Sequence, residues 1–553
     1  MTRTSMLRVT LLAAALLAAA VLLTACGGGA TPPIPTASVG EMTASEMTAE
    51  VEGTVDALMG TGTAPEGQAD AGGEAPAEGT AEPAAEGEAP LPLETEPPAD
   101  EAQPVPPVEA VEPAPAAVAL SGPQLIFATS GDGIVADAFY AVSADGAEAR
   151  PLLTEANALI PVDWDASQAI SPDGQYLAYV STENPFGYRG LALNLLRIAD
   201  GERFTVTPLT SAETEPLGED PADDPNFPIA RALAELNNIA WSPDGLELAF
   251  TSATDSATAD VYVYTLATGA MRRLTNTDSQ AIRPTWSPDG RTIVFAGVNS
   301  LGTGAGYDMR GVWSVPAGGG PVRLLYTPES GDELWLGWTD AQTLVVYSWG
   351  AMCGPNSLRG INVETGDADV TWAADFSEVA LDPVTGTALI TVNQYTASCG
   401  MEGDTGTFFI DAEGGWTQVG TADAYRPVWS PEADAFFGWT VEGAVQVSPA
   451  GEVVGLTTPA ETVPVVSAGQ TYWAWASAVP DDAGVWVGAF GDPPARISDA
   501  RSAFPIWSPD GTRLFYATGA SIATAAAPDF TPQTAAEGVF AGTWAPAWAV
   551  PSQ

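Results

Sequence analysis

The chain is 553 residues long, and its 70 acidic side chains against 18 basic ones give a formal net charge of −52, with no His. A field of that sign repels nucleic acid and anionic lipid headgroups, and it favours cations or a basic partner. Without His there is no Ser-His-Asp triad, no Cys-His nucleophile and no His-ligated zinc.

Arg3 and Arg8 lead an apolar run from Val9 to Leu23. A charged region followed by an apolar one is a secretion signal, here residues 1–25, and not an element of the fold. The run ends Leu23-Thr24-Ala25-Cys26 and is followed by three Gly. That ending resembles the bacterial lipoprotein signal. The resemblance implies that Cys26 carries the lipid and begins the mature chain. The protein is then expected to be exported and lipid-anchored at the cell membrane surface, without a span.

Residues 26–120 are expected to form a disordered tether. The stretch is built of Ala, Glu, Pro, Gly and Thr, with eighteen acidic residues beyond Cys26, no Arg and no aromatic side chain. It holds too little apolar surface to offset the entropy of ordering it. Beyond residue 120 the balance is still 52 acids against 16 Arg, or −36, so the acidity extends to the folded part. Solubility accounts for such a surface as readily as a basic partner does.

From Gln124 the composition turns to short β-branched and aromatic runs. One phrase punctuates them: Trp-Ser-Pro-Asp-Gly at Trp241–Gly245, Trp286–Gly290 and Trp507–Gly511, with Ile170–Gly174 differing only in its first residue. Trp429-Ser430-Pro431-Glu432-Ala433 is a degraded copy and Trp544-Ala545-Pro546 a fainter one. Pro fixes φ at the first central position of a turn, Asp suits the second, and Gly accepts positive φ just after. The flanking runs therefore pair as a hairpin, and a second hairpin follows, as in Asp260–Thr265 with Met271–Thr275.

Each repeat is then four antiparallel strands, lettered A to D, with A positions near 170, 241, 286, 337, 380, 429, 467 and 507. The fold class is all-β: a β-propeller of four-stranded antiparallel blades over residues 121–553. A β-sandwich with similar turns is the bland alternative. The pattern resembles the TolB-type propeller repeat, shared with the tricorn protease and prolyl oligopeptidases, over about residues 124–550. The fourth, fifth and seventh blades depart from the motif. Gln124–Thr129 looks like a B strand with no A before it, and Val539–Trp544 like an A strand with no B after it, so the two are expected to close one blade. Counted literally, that makes eight internal repeats and the closing one. Eight blades is the count adopted, with seven and nine left open.

Cys353 and Cys399 follow B-type strands at equivalent loop positions of adjacent blades. In an exported protein this predicts a disulfide between them, and a thiol count on the unreduced protein tests it. The Asp-Gly turns place A–B and C–D connections at one end of the propeller and B–C and D–A connections at the other. The long segments fall at the second end, among them Thr182–Gly190, Val298–Gly311 and an insertion Ser211–Leu236 that ends in a short helix over Pro228–Leu236. Rigidly supported loops are where binding resides. The candidate contact residues are Phe186, Tyr188, Arg189, Asp223, Asp224, Tyr307, Asp308, Arg310 and Trp349.

The expected protein is not an enzyme. It is a binding or scaffold module for a protein, peptide or glycan, with no cofactor, no metal and no nucleic-acid partner. The alternative is a secreted hydrolase or other carbohydrate-active enzyme that uses carboxylates in the propeller channel, chemistry that needs no His.

Overall fold

Each Ser-Pro-Asp-Gly turn is locked by its own side chains. The Ser hydroxyl donates to the Asp carboxylate two residues on, at 2.5 Å from Ser171, 2.7 Å from Ser242, 2.7 Å from Ser287 and 2.6 Å from Ser508. The same hydroxyl accepts the amide five residues on, from Tyr176, Glu247, Thr292 and Arg513, at 2.9–3.0 Å. The carboxylate accepts a further amide just past the Gly. The four Gly stand at φ of +69° to +71°, where a Cβ is disfavoured. Hydrogen bonds from Ser287 and Ser508 hold the carboxyls of Asp289 and Asp510 below the usual carboxylate range. In the degraded copy the hairpin keeps the same span, with Trp429 opposite Phe436, and the left-handed position moves one residue on to Asp434, at φ +46°.

The computed structural model describes residues 110–551 apart from 131–134, 148, 160–165, 218–223, 300–308, 328–331, 350–356, 369, 375–377, 393–405, 413–414, 421–424, 441–442, 457–463, 478–481, 491, 501–504, 519–520 and 538–545. The signal, Cys26, Cys353 and Cys399 therefore lie outside the described residues. So does the part of the expected tether before residue 110.

The described chain is a succession of A-B-C-D repeats in which every strand pairs antiparallel with its neighbours; one isolated bridge outside the strands, Thr210 with Ala253, is parallel. The first comprises Ala547–Ala549 as A with Gln124–Thr129, Val135–Ser143 and Arg150–Leu159. The second has Ile170 as a single-residue A bridge, then Tyr176–Ser181, Ala192–Arg197 and Arg203–Pro208. These two share one seven-stranded sheet through the pair Ala158 and Ser181. Seven four-stranded sheets follow, with A strands at Ile239–Trp241, Gln280–Trp286, Asp332–Trp338, Glu378–Leu381, Tyr425–Ser430, Val465–Val466 and Ile506–Trp507. Among the described residues there are thus eight sheets, the first of which holds two repeats. The A strand that joins Gln124–Thr129 is Ala547–Ala549, a few residues beyond the segment with Trp544 expected to fill that place.

Apolar clusters join each repeat to the next. Ile126, Phe139, Leu177 and Leu196 link the first two, and Leu193, Trp241 and Tyr264 share a cluster between the second and third. The series continues through Phe295, Leu344, Ile390, Phe436, Trp473 and Leu514. It returns to the start where Phe515 and Ile522 pack with Leu125 and Phe127. The circuit is closed, so no sheet face is left without a neighbour, as a propeller requires.

The strand-A Trp residues do more than fill space between sheets. Trp241 Nε1 donates to the Ala169 carbonyl at 2.9 Å, Trp286 to Ala240 at 3.0 Å, Trp507 to Val465 at 3.1 Å and Trp548 to Trp507 at 2.7 Å. Each indole thus reaches the backbone at the A position of the preceding repeat, and Trp548 completes the series at the closure.

One part of the expected tether is folded. Residues 110–116 run along the turn-bearing end of the second and third repeats, where Val111 and Ala114 pack against the apolar cluster and their amides donate to Gly269 and Leu266 carbonyls, both at 2.9 Å. The ordered chain begins before residue 121 because this short piece finds apolar surface and partners for its backbone.

Candidate functional site

Antiparallel order puts the B–C loops and D–A connections together, opposite the tight turns. In the second to fourth repeats this end carries loop 182–190, the described parts of the 211–236 insertion and Met309 at the start of the fourth repeat's C strand.

Loop 182–190 is fixed from within. Thr182 Oγ1 donates to the Arg189 carbonyl at 2.8 Å. Asn184 Oδ1 accepts the amides of Phe186 and Gly187 at 3.1 and 3.2 Å, which folds the tip. Tyr188 sits at φ +46° and its ring meets Phe227 at 5.3 Å between centroids.

Glu215 ties this loop to the insertion. It accepts the Gly190 amide at 2.8 Å and the Thr210 hydroxyl, and it faces Arg189 Nε at 3.8 Å. Asn226 Nδ2 donates to the carbonyls of Glu213 and Glu215 at 2.8 and 3.0 Å. Thr214 Oγ1 donates to the Ala253 carbonyl at 2.8 Å, fastening the insertion to the third repeat. After these anchors comes a helix, α1, at Phe227–Glu235, opened by Pro228 as Pro favours in a first turn. It forms one residue earlier than the 228–236 expected. Its Ala230, Leu233 and Ala234 enter the cluster of the second and third repeats, while Ala232 and Leu236 pack with Ile282, Ala296 and Val298 of the fourth. The helix therefore bridges neighbouring repeats and stiffens the platform.

On this braced platform two large apolar side chains stand in water: Phe186 at 70 % and Leu217 at 72 % exposure. The flanking acids Glu183, Glu213 and Glu215 make the surroundings negative. Beneath the B–C loop of the third repeat lies a buried ion pair, Asp260 with Arg273 at 2.7 Å.

The structure brings Phe186, Tyr188 and Arg189 together. Asp224 belongs to the same cluster but is no contact residue: only 6 % exposed, its carboxylate accepts the amides of Leu217 at 2.5 Å and Asn226 at 2.9 Å. It is a loop anchor, and its place in an acidic run disguised that. Asp223, Tyr307 and Asp308 lie outside the described residues. Arg310 is half-buried in the C strand Met309–Pro316 of the fourth repeat, whose Met309 packs near the helix. Trp349 ends the B strand Thr343–Trp349 of the fifth repeat, paired with Asp332. Sequence reading missed Glu215 and Leu217. Glu215 is one acid among 70 acidic residues and carries no mark. Leu217 was legible as the lone large apolar side chain before an acidic run.

Among the described residues no group of three His, Cys, Asp or Glu side chains is placed to hold a metal ion.

No family model matches the chain. A 70-residue stretch is 40% identical to the protein named uncharacterized peptidase YuxL of Bacillus subtilis, covering 13% of this chain and 10% of that relative. The chain thus matches about a tenth of that relative's length. Similar solved structures include TolB from Acinetobacter baumannii, 16% identical over 54% of this chain and 62% of that one, with a TM-score of 0.30. An oligogalacturonate lyase from Vibrio parahaemolyticus is 13% identical over 60% and 88%, with a TM-score of 0.36. Dipeptidyl peptidase 4 of Porphyromonas gingivalis is 9% identical over 78% and 62%, with a TM-score of 0.41. The TolB-type propeller repeat stands, and it rests on the sheets described above. The expectation that the chain is not an enzyme is corrected: a relative that shares a 70-residue stretch with it is a peptidase by name. The absence of His excludes particular catalytic groups and cannot exclude catalysis as such.

Proposed function

We propose that this is a peptidase-like propeller protein that takes an extended polypeptide at its loop-bearing end. The observation that carries the reading is the pair Phe186 and Leu217, exposed at 70 % and 72 % on loops otherwise pinned by Glu215, Asn184 and the helix. Large apolar side chains held in water on a rigid support mark a contact surface, and aromatic anchors dominate such contacts. The acids around them favour a peptide with a basic residue beside an apolar one. The peptidase name of the relative adds the reaction class, hydrolysis of a peptide bond.

A fluorescent peptide pool tests this, read by anisotropy and by release of new amino termini. The Phe186→Ser/Leu217→Ser variant is expected to bind at least about tenfold more weakly, the equivalent of about 1.4 kcal/mol, at unchanged Tm. Equal binding by the variant, or a glycan bound in preference to every peptide, sinks the reading.

The same reading puts the protein outside the cytoplasm, held by a lipid on Cys26. Its support is the apolar run from Val9 to Leu23 followed by Thr24-Ala25-Cys26. Cys26→Ser is expected to move the protein from the membrane fraction to the soluble fraction on cell fractionation; retention in membranes would count against it.

A further inference from the structure

The ordered segment at the opposite end, Val111-Glu112-Pro113-Ala114-Pro115-Ala116, is held in the manner of a bound ligand. The hydrogen bonds that hold it all use its backbone. Tyr264 Oη donates to the Glu112 carbonyl at 2.9 Å, Tyr176 Oη to the Pro115 carbonyl, and Arg197 Nη1 to the Ala116 carbonyl at 2.9 Å. In the other direction Val111 and Ala114 donate their amides to Gly269 and Leu266. A three-residue period runs through the set. Val111 and Ala114 face the apolar cluster, and the carbonyls of Glu112 and Pro115 meet the two tyrosine hydroxyls. Three residues per turn is the period of polyproline II, the conformation that Pro113 and Pro115 favour and that leaves backbone groups free for a partner.

The receiving surface is built for this. Tyr264 and Tyr176 are both buried, at 0% and 4% exposure. Tyr264 stacks against Phe204 at 6.4 Å and Tyr176 against Trp241 at 6.5 Å, so neither ring can swing away. Arg197 is clamped by Asp200 at 2.6 Å and by Glu202. Gly269, at φ +67°, lies so near the Val111 carbonyl that a side chain there would collide with it. An aromatic-lined groove with fixed donors at a three-residue spacing is how proline-rich peptides are recognised.

We infer that the groove between Tyr264 and Tyr176 is a binding site for extended proline-bearing peptides. Residues 111–116 fill it as a strap in cis, and a peptide of the same kind takes it in trans when the strap is displaced. The ligand needs small apolar residues three apart, Pro at the positions between them and the next, and free carbonyls. Glu82-Pro83-Ala84 repeats the Glu112-Pro113-Ala114 of the strap, with Ala81 in the place of Val111 and Ala85 in the place of Pro115, so this chain carries the core of the motif a second time. The site is distinct from the loop-bearing end and stands or falls separately from the function proposed there.

The test uses the full chain and a fluorescein-labelled synthetic peptide with the sequence of residues 107–117. Val111→Glu/Ala114→Glu removes the apolar contacts of the strap and leaves the groove intact. This variant is expected to bind the peptide at least about tenfold more tightly than the unaltered protein, whose own strap competes at high effective concentration. Adding Tyr176→Phe/Tyr264→Phe is expected to reverse that gain, and a peptide with both Pro replaced by Gly is expected to bind more weakly. Hydrogen exchange at the Val111 and Ala114 amides, slow in the unaltered protein, is expected to become fast in the strap variant. Should the strap variant fold poorly, Pro113→Gly/Pro115→Gly loosens the strap by entropy alone and serves in its place. A strap variant that binds no better than the unaltered protein, or tyrosine changes that leave binding intact, overturns the inference.

Discussion

Arg273→Met is expected to destabilise the protein by about 3–5 kcal/mol, because it strands a buried carboxylate. The side chain of Asp260 is 0% exposed and that of Arg273 2%. The Asp260 carboxylate accepts from Arg273 Nη2 at 2.7 Å, from Thr275 Oγ1 at 2.7 Å and from Ser256 Oγ at 2.9 Å. Arg273 in turn donates to the Thr275 carbonyl and to Asn276 Oδ1. Burial lifts the Asp260 carboxyl above the ordinary range, against the pull of Thr275, Arg273 and Ser256. Without Arg273 one of the pulls that oppose burial is gone, and the carboxyl is lifted further.

The sign of the pH dependence follows. In Arg273→Met the folded carboxyl titrates further above its unfolded value, so the variant is least handicapped below the unfolded pKa. Its deficit grows as pH rises through the folded pKa. Urea midpoints from about pH 4 to 8 read this directly. The double change Asp260→Leu/Arg273→Met removes both charges and is expected to recover most of the loss. A single variant as stable as the unaltered protein across that range would show that the pair is not desolvated.

What the sequence made legible was the local chemistry that repeats. Ser-Pro-Asp-Gly specifies a turn with its own hydrogen bonds, so Ile170–Gly174, Trp241–Gly245, Trp286–Gly290 and Trp507–Gly511 all sit where A meets B. Features that depend on distant partners were not legible. The A strand Val465–Val466 lies beside the position near 467 that the run of repeats gave it, but its length of only two residues was not legible. The closing strand lies around Trp548 and not Trp544, because pairing with Gln124–Ile126 decides it and the turn phrase is absent there. Asp224 reads as a surface acid until Leu217 and Asn226 are seen to spend their amides on it. The 111–116 strap has the composition of a disordered linker, and its order comes from partners in the second and third repeats, far along the chain.

Trp507 is the point where the last repeat is fastened on both sides, so its loss is expected to be felt at the closure. Its indole, 6% exposed, stacks on Tyr472 at 5.9 Å and meets Phe530 edge-on at 6.0 Å. Its Nε1 donates to the Val465 carbonyl of the preceding repeat at 3.1 Å, and its own carbonyl accepts from Trp548 Nε1 of the closing strand at 2.7 Å. Trp507→Ala opens a cavity the size of an indole, and a loss of about 3–5 kcal/mol follows. Trp507→Phe keeps most of the aromatic packing and removes the donor, which leaves the Val465 carbonyl without this partner at a cost of about 1–3 kcal/mol. Because the backbone carbonyl of residue 507 survives both changes, the Trp548 bond is a common background, and the difference between the variants isolates the ring from the hydrogen bond. Thermal and urea unfolding of the two variants provide the comparison. The expected order is Ala well below Phe and Phe below the unaltered protein. Equal stabilities for Phe and Trp would mean that a single aromatic ring suffices at this position and that the Trp507 indole-to-backbone bond contributes nothing to holding the last repeat against the one before it.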